Sequence, residues 1–212
     1  MALYHFHVGQ IKRSAGRSAV EAAAYRAGKK LYSEYYGLVS DYTRKGGVVY
    51  SEILLPPHAP REYADRQTLW NAVEEAERNK NAQLAYSFDI ALQNEFTMEE
   101  NMQLARQFLL DNFVSRGMIA DFAVHQLDRE NGISNPHFHV MCPIRPLNPD
   151  GTWGVKQRRV YRANGKFDAV QTTDWGKPET LEAWREAWSA LCNVKFEEKG
   201  LPDRIDHRSY ER

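Results

Sequence analysis

Cysteine is nearly absent: Cys142 and Cys192 are the only two in 212 residues, which leaves no disulfide framework and points to a reducing, cytoplasmic setting. An excess of charge of one sign is missing as well. Lys and Arg total 28 against 28 Asp and Glu, so composition gives no general sign of a nucleic-acid or membrane binder, and affinity for a polyanion must come from local clustering. No apolar run approaches the length that spans a bilayer, and the opening MALYHFHVGQ lacks the basic segment and apolar run of a signal peptide. Repeats and low-complexity segments are also absent. A chain of this length buries a core without disulfides or a structural metal, so one domain over 1–212 is expected, and any metal serves chemistry.

What is present is alternation of two kinds. Residues 3 to 10 set Tyr4, Phe6 and Val8 against Leu3, His5 and His7, the period of a strand with one buried face. Ser18 and Glu21 form a capping-box pattern that starts a helix through SAVEAAAYRAGKK. Gly46 and Gly47 open a second strand, VVYSEILLPP, and residues 61 to 80 carry Leu69, Trp70, Val73 and Ala76 at helical spacing. In the run Ala85 to Leu92 the large apolar Tyr86, Phe88, Ile90 and Leu92 face away from Ser87 and Asp89. Thr97 with Glu100 caps a third helix that stops near Gly117, residues 119 to 127 and 136 to 145 read as two strands, and a long amphipathic helix runs from Pro178 towards Gly200. Strands with one polar face suit an antiparallel sheet, so the expectation is α+β: a central antiparallel sheet with flanking helices and one face open to a ligand.

Two imidazoles stand one residue apart in NPHFHVM, at His137 and His139. On a strand they share a face, roughly 7 Å apart along it, and can converge on one ion. The third candidate ligand is His125 in the preceding strand. Register decides whether it joins them: a two-residue turn at Asn131-Gly132 sets His125 opposite Phe138 and turns the pair away, so a metal centre requires an odd-length loop or a bulge. Three solvated histidines on an exposed sheet face are the alternative. His5-Phe6-His7 is a second such pair and reads as surface or packing histidine.

On the first helix Tyr25 stands among small neighbours, with Ala22 three residues before it and Gly28 three after, which leaves room for something bulky; an ordinary packing tyrosine is the competing reading. Arg13, Arg17, Arg26 and Lys29 gather around it, and Lys156, Arg158 and Arg159 make a second basic stretch beyond the histidine strand. Either stretch can grip phosphates or be a solvated face. Tyr32, Tyr35, Tyr36 and Tyr42 interleave with the first cluster, as suits single-stranded nucleic acid, whose bases stack while its phosphates meet cations.

Taken together, MALYHF, GRSAVEAAAYRAGKKL, GGVVYSEILLP, LWNAVEEAE, His125 with NPHFHVM, the DW of TTDWGKPETLEAWREAW and RIDHRSY resemble the MobA/MobL family of plasmid mobilisation relaxases over essentially the whole chain. The resemblance implies a histidine-hydrophobic-histidine (HUH) endonuclease with a five-stranded central sheet. It implies Tyr25 as nucleophile, His125, His137 and His139 as ligands of a divalent metal, and a nick at an origin of transfer through a 5′-phosphotyrosyl link. Mn or Mg is expected in function, with Ni, Co or Zn as alternatives. The expected partners are single-stranded origin DNA, relaxosome accessory proteins and a coupling protein, and the chain is expected to act as a monomer. Relatives typically carry acidic residues in the strand matching Ala85 to Leu92; here Ser87 takes one position and Asp89 the other. That makes Asp89 the candidate for orienting a metal histidine or taking the tyrosine proton, with Asp121, Asp128 or a water as alternatives. A rolling-circle initiator of the same class, a non-catalytic single-strand binding module and a metal-dependent hydrolase are the competing readings.

Overall fold

Five strands form one antiparallel sheet in the spatial order β1-β5-β7-β6-β4, in a computed structural model that describes residues 2–126 and 134–208. These strands are β1 (Phe6–Lys12), β4 (Val48–Leu54), β5 (Gln83–Ala91), β6 (Ala120–His125) and β7 (His137–Pro143). Four helices accompany them: α1 (Ala19–Ala27), α2 (Arg66–Ala76), α3 (Met98–Asn112) and α4 (Pro178–Glu198). Two hairpins stand outside the sheet, β2 (Lys30–Ser33) with β3 (Leu38–Asp41), and β8 (Gln157–Tyr161) with β9 (Phe167–Gln171). The fold is the α+β architecture expected from one-faced alternation.

The two sheet faces are unlike. Phe6, Phe88, Ile90, Phe122, Phe138 and Val140 project from one face into a core closed by α3 and α4, where Phe108, Trp184, Trp188 and Phe196 meet them. Burial of each large side chain there contributes on the order of 1.5–3 kcal/mol. The opposite face is covered only in part. Leu84, Ala85 and Met141 pack beneath α1 and α2 through Ala19, Val20, Ala23, Leu69, Trp70 and Val73. Asp89, His139 and His137 lie on this second face, in the part lined by an open cleft of 480 Å³ that Leu3, Tyr4 and His5 also border. The open face is therefore one end of a face, not the whole of it.

Several local expectations change in detail. Strand β1 starts at Phe6, later than residue 3, because its ladder follows β5 from Phe6↔Ile90 to Lys12↔Gln83. The second helix is broken into a 3-10 turn at Arg61–Ala64 and α2, since Asp65 caps α2 by accepting from Thr68 N at 2.8 Å. The Thr97–Glu100 capping box forms in both directions. The Ser18–Glu21 box forms in one: Ser18 Oγ accepts from Glu21 N at 3.2 Å, but the Glu21 carboxylate turns away to the Tyr42 hydroxyl. A distant carboxylate fills the gap. Glu74, 1% exposed, accepts from Ala19 N at 2.7 Å and Ser18 Oγ at 2.8 Å, satisfying the start of α1 with a charge that the helix dipole favours. Both small hairpins went unforeseen. All four strands are only four or five residues long, and three of them are mostly exposed on both faces; β2 does alternate, with Leu31 and Ser33 buried, but over too few residues to give a periodic signal.

Candidate metal centre and nucleophile

Register brings the histidines together. His125 pairs with His137 across β6 and β7, and β5 pairs with β7 so that Asp89 stands opposite His139. Directly opposed residues share a face, so the condition that the loop imposes is met; the Asn131-Gly132 turn itself and Asp128 lie outside the described residues. Ring centroids are 5.3 Å apart for His125 and His137, 4.6 Å for His125 and His139, and 4.9 Å for His137 and His139. One nitrogen from each ring lies within 4.8 Å of the others, a spacing that could hold a metal ion, and this is the one such histidine, cysteine or carboxylate cluster found among the described residues.

Each ring also spends its other nitrogen on an oxygen. His125 Nε2 lies 2.6 Å from the Arg26 carbonyl, His137 Nδ1 lies 2.8 Å from the Asn135 carbonyl, and His139 Nδ1 contacts the Asp89 carboxylate. Carbonyls and an ionised carboxylate only accept, so each of these nitrogens carries the proton. The lone pairs are left on His125 Nδ1, His137 Nε2 and His139 Nε2. An outer oxygen that fixes the tautomer and orients the ring is the arrangement that metal-binding histidines adopt. Burial drives His125 down to about 4, with the Arg26 carbonyl opposing, and burial also lowers His139 against the pull of Asp89. Both rings are thus neutral at pH 7, as ligands must be. Burial would raise Asp89, but the hydrogen bond from His139 and the nearby Arg26 charge outweigh it and hold the carboxylate below its usual range. The residues present fit a divalent ion with open coordination positions.

Helix α1 meets this cluster at its C-terminal end, through the Arg26 carbonyl on His125. The helix stops there because Gly28 takes φ +61°, where an added Cβ would lie 3.2 Å from Val48 Cγ2. Tyr25 is the residue before Arg26 and is 48% exposed, so it is not the packing tyrosine that its alanine neighbours would permit. Its ring has Tyr42 edge-on at 5.2 Å and the Lys45 ammonium over its face at 3.7 Å. Lys45 was not among the residues that the sequence singled out; its one signal is the spacing Tyr42-x-x-Lys45 in a tyrosine-rich run.

The basic candidates separate into groups. Arg17 and Lys29 are exposed on or beside α1, and Arg158 and Arg159 are exposed on β8, where Arg159 lies 4.6 Å from the centre of the Phe167 ring. Arg26 is half-buried, donating to Ser87 Oγ at 2.8 Å and to the Ala22 carbonyl at 3.1 Å, with Asp89 and then Asp121 as the opposing charges that act on it most. Arg13 does not serve as a surface cation: 6% exposed, it spends its guanidinium on the carbonyls of Glu74, Glu77 and Asn79. Lys156 is likewise committed, paired with Glu77 at 2.8 Å. Asp121 is removed as a proton acceptor, since Arg66 and the Trp70 indole occupy both of its oxygens. His207 pins the C-terminal segment through Ser189 and Glu182. His5 borders the cleft, with its ring 6.4 Å from that of His7.

Comparison with known proteins bears on the family and the fold. Residues 17–212 match the model described as the MobA/MobL family. The chain is 34% identical to the conjugal transfer protein TraA of Agrobacterium fabrum, covering 100% of this chain and 20% of that protein. It is 36% identical to the mobilization protein MobL of Acidithiobacillus ferridurans, with 99% of this chain and 58% of that one covered, and 32% identical to a probable mobilization protein MobA of Bifidobacterium longum, with 100% and 41% covered. It therefore spans between 20% and 58% of the length of these curated relatives. A solved structure described as "Molecular Basis of Vancomycin Resistance Transfer in Staphylococcus aureus" superposes with a TM-score of 0.85 at 32% identity, covering 99% of this chain and 100% of that one.

Proposed function

The chain belongs to the MobA/MobL family, and from that premise we propose that it nicks and rejoins one DNA strand at an origin of transfer, with Tyr25 as the nucleophile, in conjugative mobilisation. The observation that carries the reading is the histidine trio with its three free lone pairs, in contact with the end of the helix that bears Tyr25.

In the proposed step the Tyr25 Oη forms a bond to the scissile phosphorus, the bond from phosphorus to the 3′ oxygen breaks, and that oxygen departs as a 3′-hydroxyl after taking up a proton. The phenol proton passes to solvent or a neighbouring base. The phosphodiester energy stays in the phosphotyrosyl link, so the reverse attack by a 3′-hydroxyl rejoins the strand without a nucleotide cofactor. His125, His137 and His139 would hold a divalent ion, Mn or Mg before Ni, Co or Zn, which when bound supplies positive charge to a non-bridging phosphate oxygen. Asp89 acts as a positioning residue that keeps the His139 Nδ1 protonated and its other nitrogen free. The Arg26 carbonyl does the same for His125, while its guanidinium adds positive charge beside the trio. Arg17, Lys29, Arg158 and Arg159 are the exposed cations for DNA phosphates. The DNA is single-stranded, the setting cytoplasmic, the unit a monomeric nuclease domain, and accessory relaxosome and coupling proteins are its expected company.

A labelled origin oligonucleotide incubated with the protein and Mn or Mg tests this. A covalent adduct should appear on a denaturing gel, should vanish with chelator, and should not form with Tyr25→Phe. An adduct that persists in Tyr25→Phe refutes the nucleophile assignment. Strand cleavage without any adduct would point instead to a hydrolase using bound water.

A further inference from the structure

The turn after β3 is fastened to both ends of α1. Tyr42 N donates to the Lys29 carbonyl at 3.1 Å just beyond the helix, and the Tyr42 hydroxyl donates to Glu21 at 3.1 Å in its first turn. The same turn closes on itself with Lys45 N donating to the Tyr42 carbonyl at 2.9 Å. Tyr42 and Lys45, which each contact the Tyr25 ring, therefore come from one anchored turn. Lys45 makes two contacts with Tyr25: its ammonium sits over the ring at 3.7 Å and also donates to the Tyr25 carbonyl at 3.0 Å. The carbonyl contact fixes where the ammonium sits, and the ring contact then fixes the ring.

We propose that Lys45 is a positioning residue for the Tyr25 nucleophile, which orients the phenol and stabilises the negative charge that grows on Oη as its proton leaves. The proposal rests on the reading of Tyr25 as nucleophile. A cation on the face of an aromatic ring is attracted by its π electrons, and the attraction strengthens as the ring becomes anionic, so the contact favours the reacting state over the resting one. Other groups facing Tyr25 do not duplicate this. Tyr42 is an uncharged ring set perpendicular to it, Glu21 is engaged by the Tyr42 hydroxyl, Lys29 is exposed one turn on, and Arg26, though charged, is directed to Ser87 and Ala22. Lys45 is half-buried, and burial followed by the Arg26 charge lowers its proton affinity. Holding an ammonium there is therefore unfavourable unless the ring and carbonyl compensate.

The test is single-turnover adduct formation at saturating origin oligonucleotide and Mn, comparing wild type with Lys45→Met, which keeps a linear stem, and Lys45→Arg, which keeps a charge able to stack on the ring. Lys45→Met should slow adduct formation by about 10- to 100-fold, the range that misplacement of a reacting group produces. Its oligonucleotide affinity, measured in a Tyr25→Phe background, should remain unchanged, and Lys45→Arg should recover most of the rate. A second measurement separates charge stabilisation from a merely structural role: site-specific replacement of Tyr25 by 3,5-difluorotyrosine, a more acidic phenol, should shrink the Lys45→Met deficit, since less charge stabilisation is then needed. A wild-type rate in Lys45→Met, or a deficit of the same size with both phenols, overturns the proposal. A wild-type protein that forms no adduct under any condition refutes the nucleophile reading beneath it.

Discussion

Asp89 and Asp121 stand on the same face of the same sheet and do opposite work. Asp89 shares a rung with His139 and Ala123, and Asp121 shares the next rung on that face with Met141 and Ser87. The difference is the cover. Over Asp121 lies α2, which lends Arg66 and Trp70, and the carboxylate is 5% exposed with both oxygens taken up by donors. Asp89 instead lines the open cleft, its side chain is 39% exposed, and it holds a histidine in place of an arginine. One carboxylate fastens a helix to the sheet; the other leaves its histidine free to bind something else. Residue type and strand position are shared, so the partner supplied by another element decides the role.

The largest effect should come from removing the covered charge. Asp121→Asn leaves Arg66, with 11% of its side chain exposed, without its counter-ion, and breaking a buried pair on one side costs about 3–5 kcal/mol. Denaturant titration should show that loss, with a melting temperature lower by roughly 10 °C for a chain of this size. The double variant Arg66→Met with Asp121→Leu should recover much of it, since no buried charge then remains. A single variant as stable as wild type would mean that the carboxylate is not what fastens α2.

The exposed counterpart should behave in the reverse way. Asp89→Asn should weaken divalent-metal affinity by about 10- to 100-fold, the usual loss when the outer partner of a ligating histidine is altered, while stability in the absence of metal stays near wild type. Calorimetric titration with Mn, beside a metal-free melt, reads both quantities. A variant that loses stability but binds metal normally would reverse the contrast drawn between the two aspartates.

Sequence made this contrast only half legible. The pair His137 and His139 could be read because its signal is local, a one-residue spacing on a strand; whether His125 joined them hung on a loop parity that the sequence left open and the pairing of β6 with β7 supplies. Asp89 could be placed on the polar side of its strand for the same reason. Asp121 could not be told from it, because Arg66 lies 55 positions away and Trp70 lies 51, and no spacing rule reports a contact made through tertiary packing. Arg13 shows the same limit, reading as a surface cation beside Arg17 until carbonyls more than 60 residues away enclose it. Lys45 was invisible because its significance comes from a turn that follows a four-residue, mostly exposed strand with no one-faced pattern. Helix caps divide along the same line: the box at Thr97 is complete within four residues, whereas the start of α1 is completed by Glu74, 56 positions from Ser18.

The smallest expected effect sharpens the boundary between the two aspartates. Ser87 lies on the rung of Asp121, and its hydroxyl accepts from the Arg26 guanidinium at 2.8 Å. Asp89 and then Asp121 are the leading charges that raise the proton affinity of Arg26 against its burial, so this one cation spans both ends of the face. Ser87→Ala deletes a single hydrogen bond to a charged donor in a partly exposed place, which should cost about 1 kcal/mol of stability. The Arg26 carbonyl that orients His125 belongs to the α1 backbone, held by Gly28 and by the turn below it. Loosening the guanidinium should therefore leave metal affinity within about twofold of wild type, under 0.5 kcal/mol. If Ser87→Ala instead weakens metal binding as far as Asp89→Asn does, the support of the trio runs through the Arg26 side chain, and the division between a structural and a chemical end of the sheet would have to move by one rung.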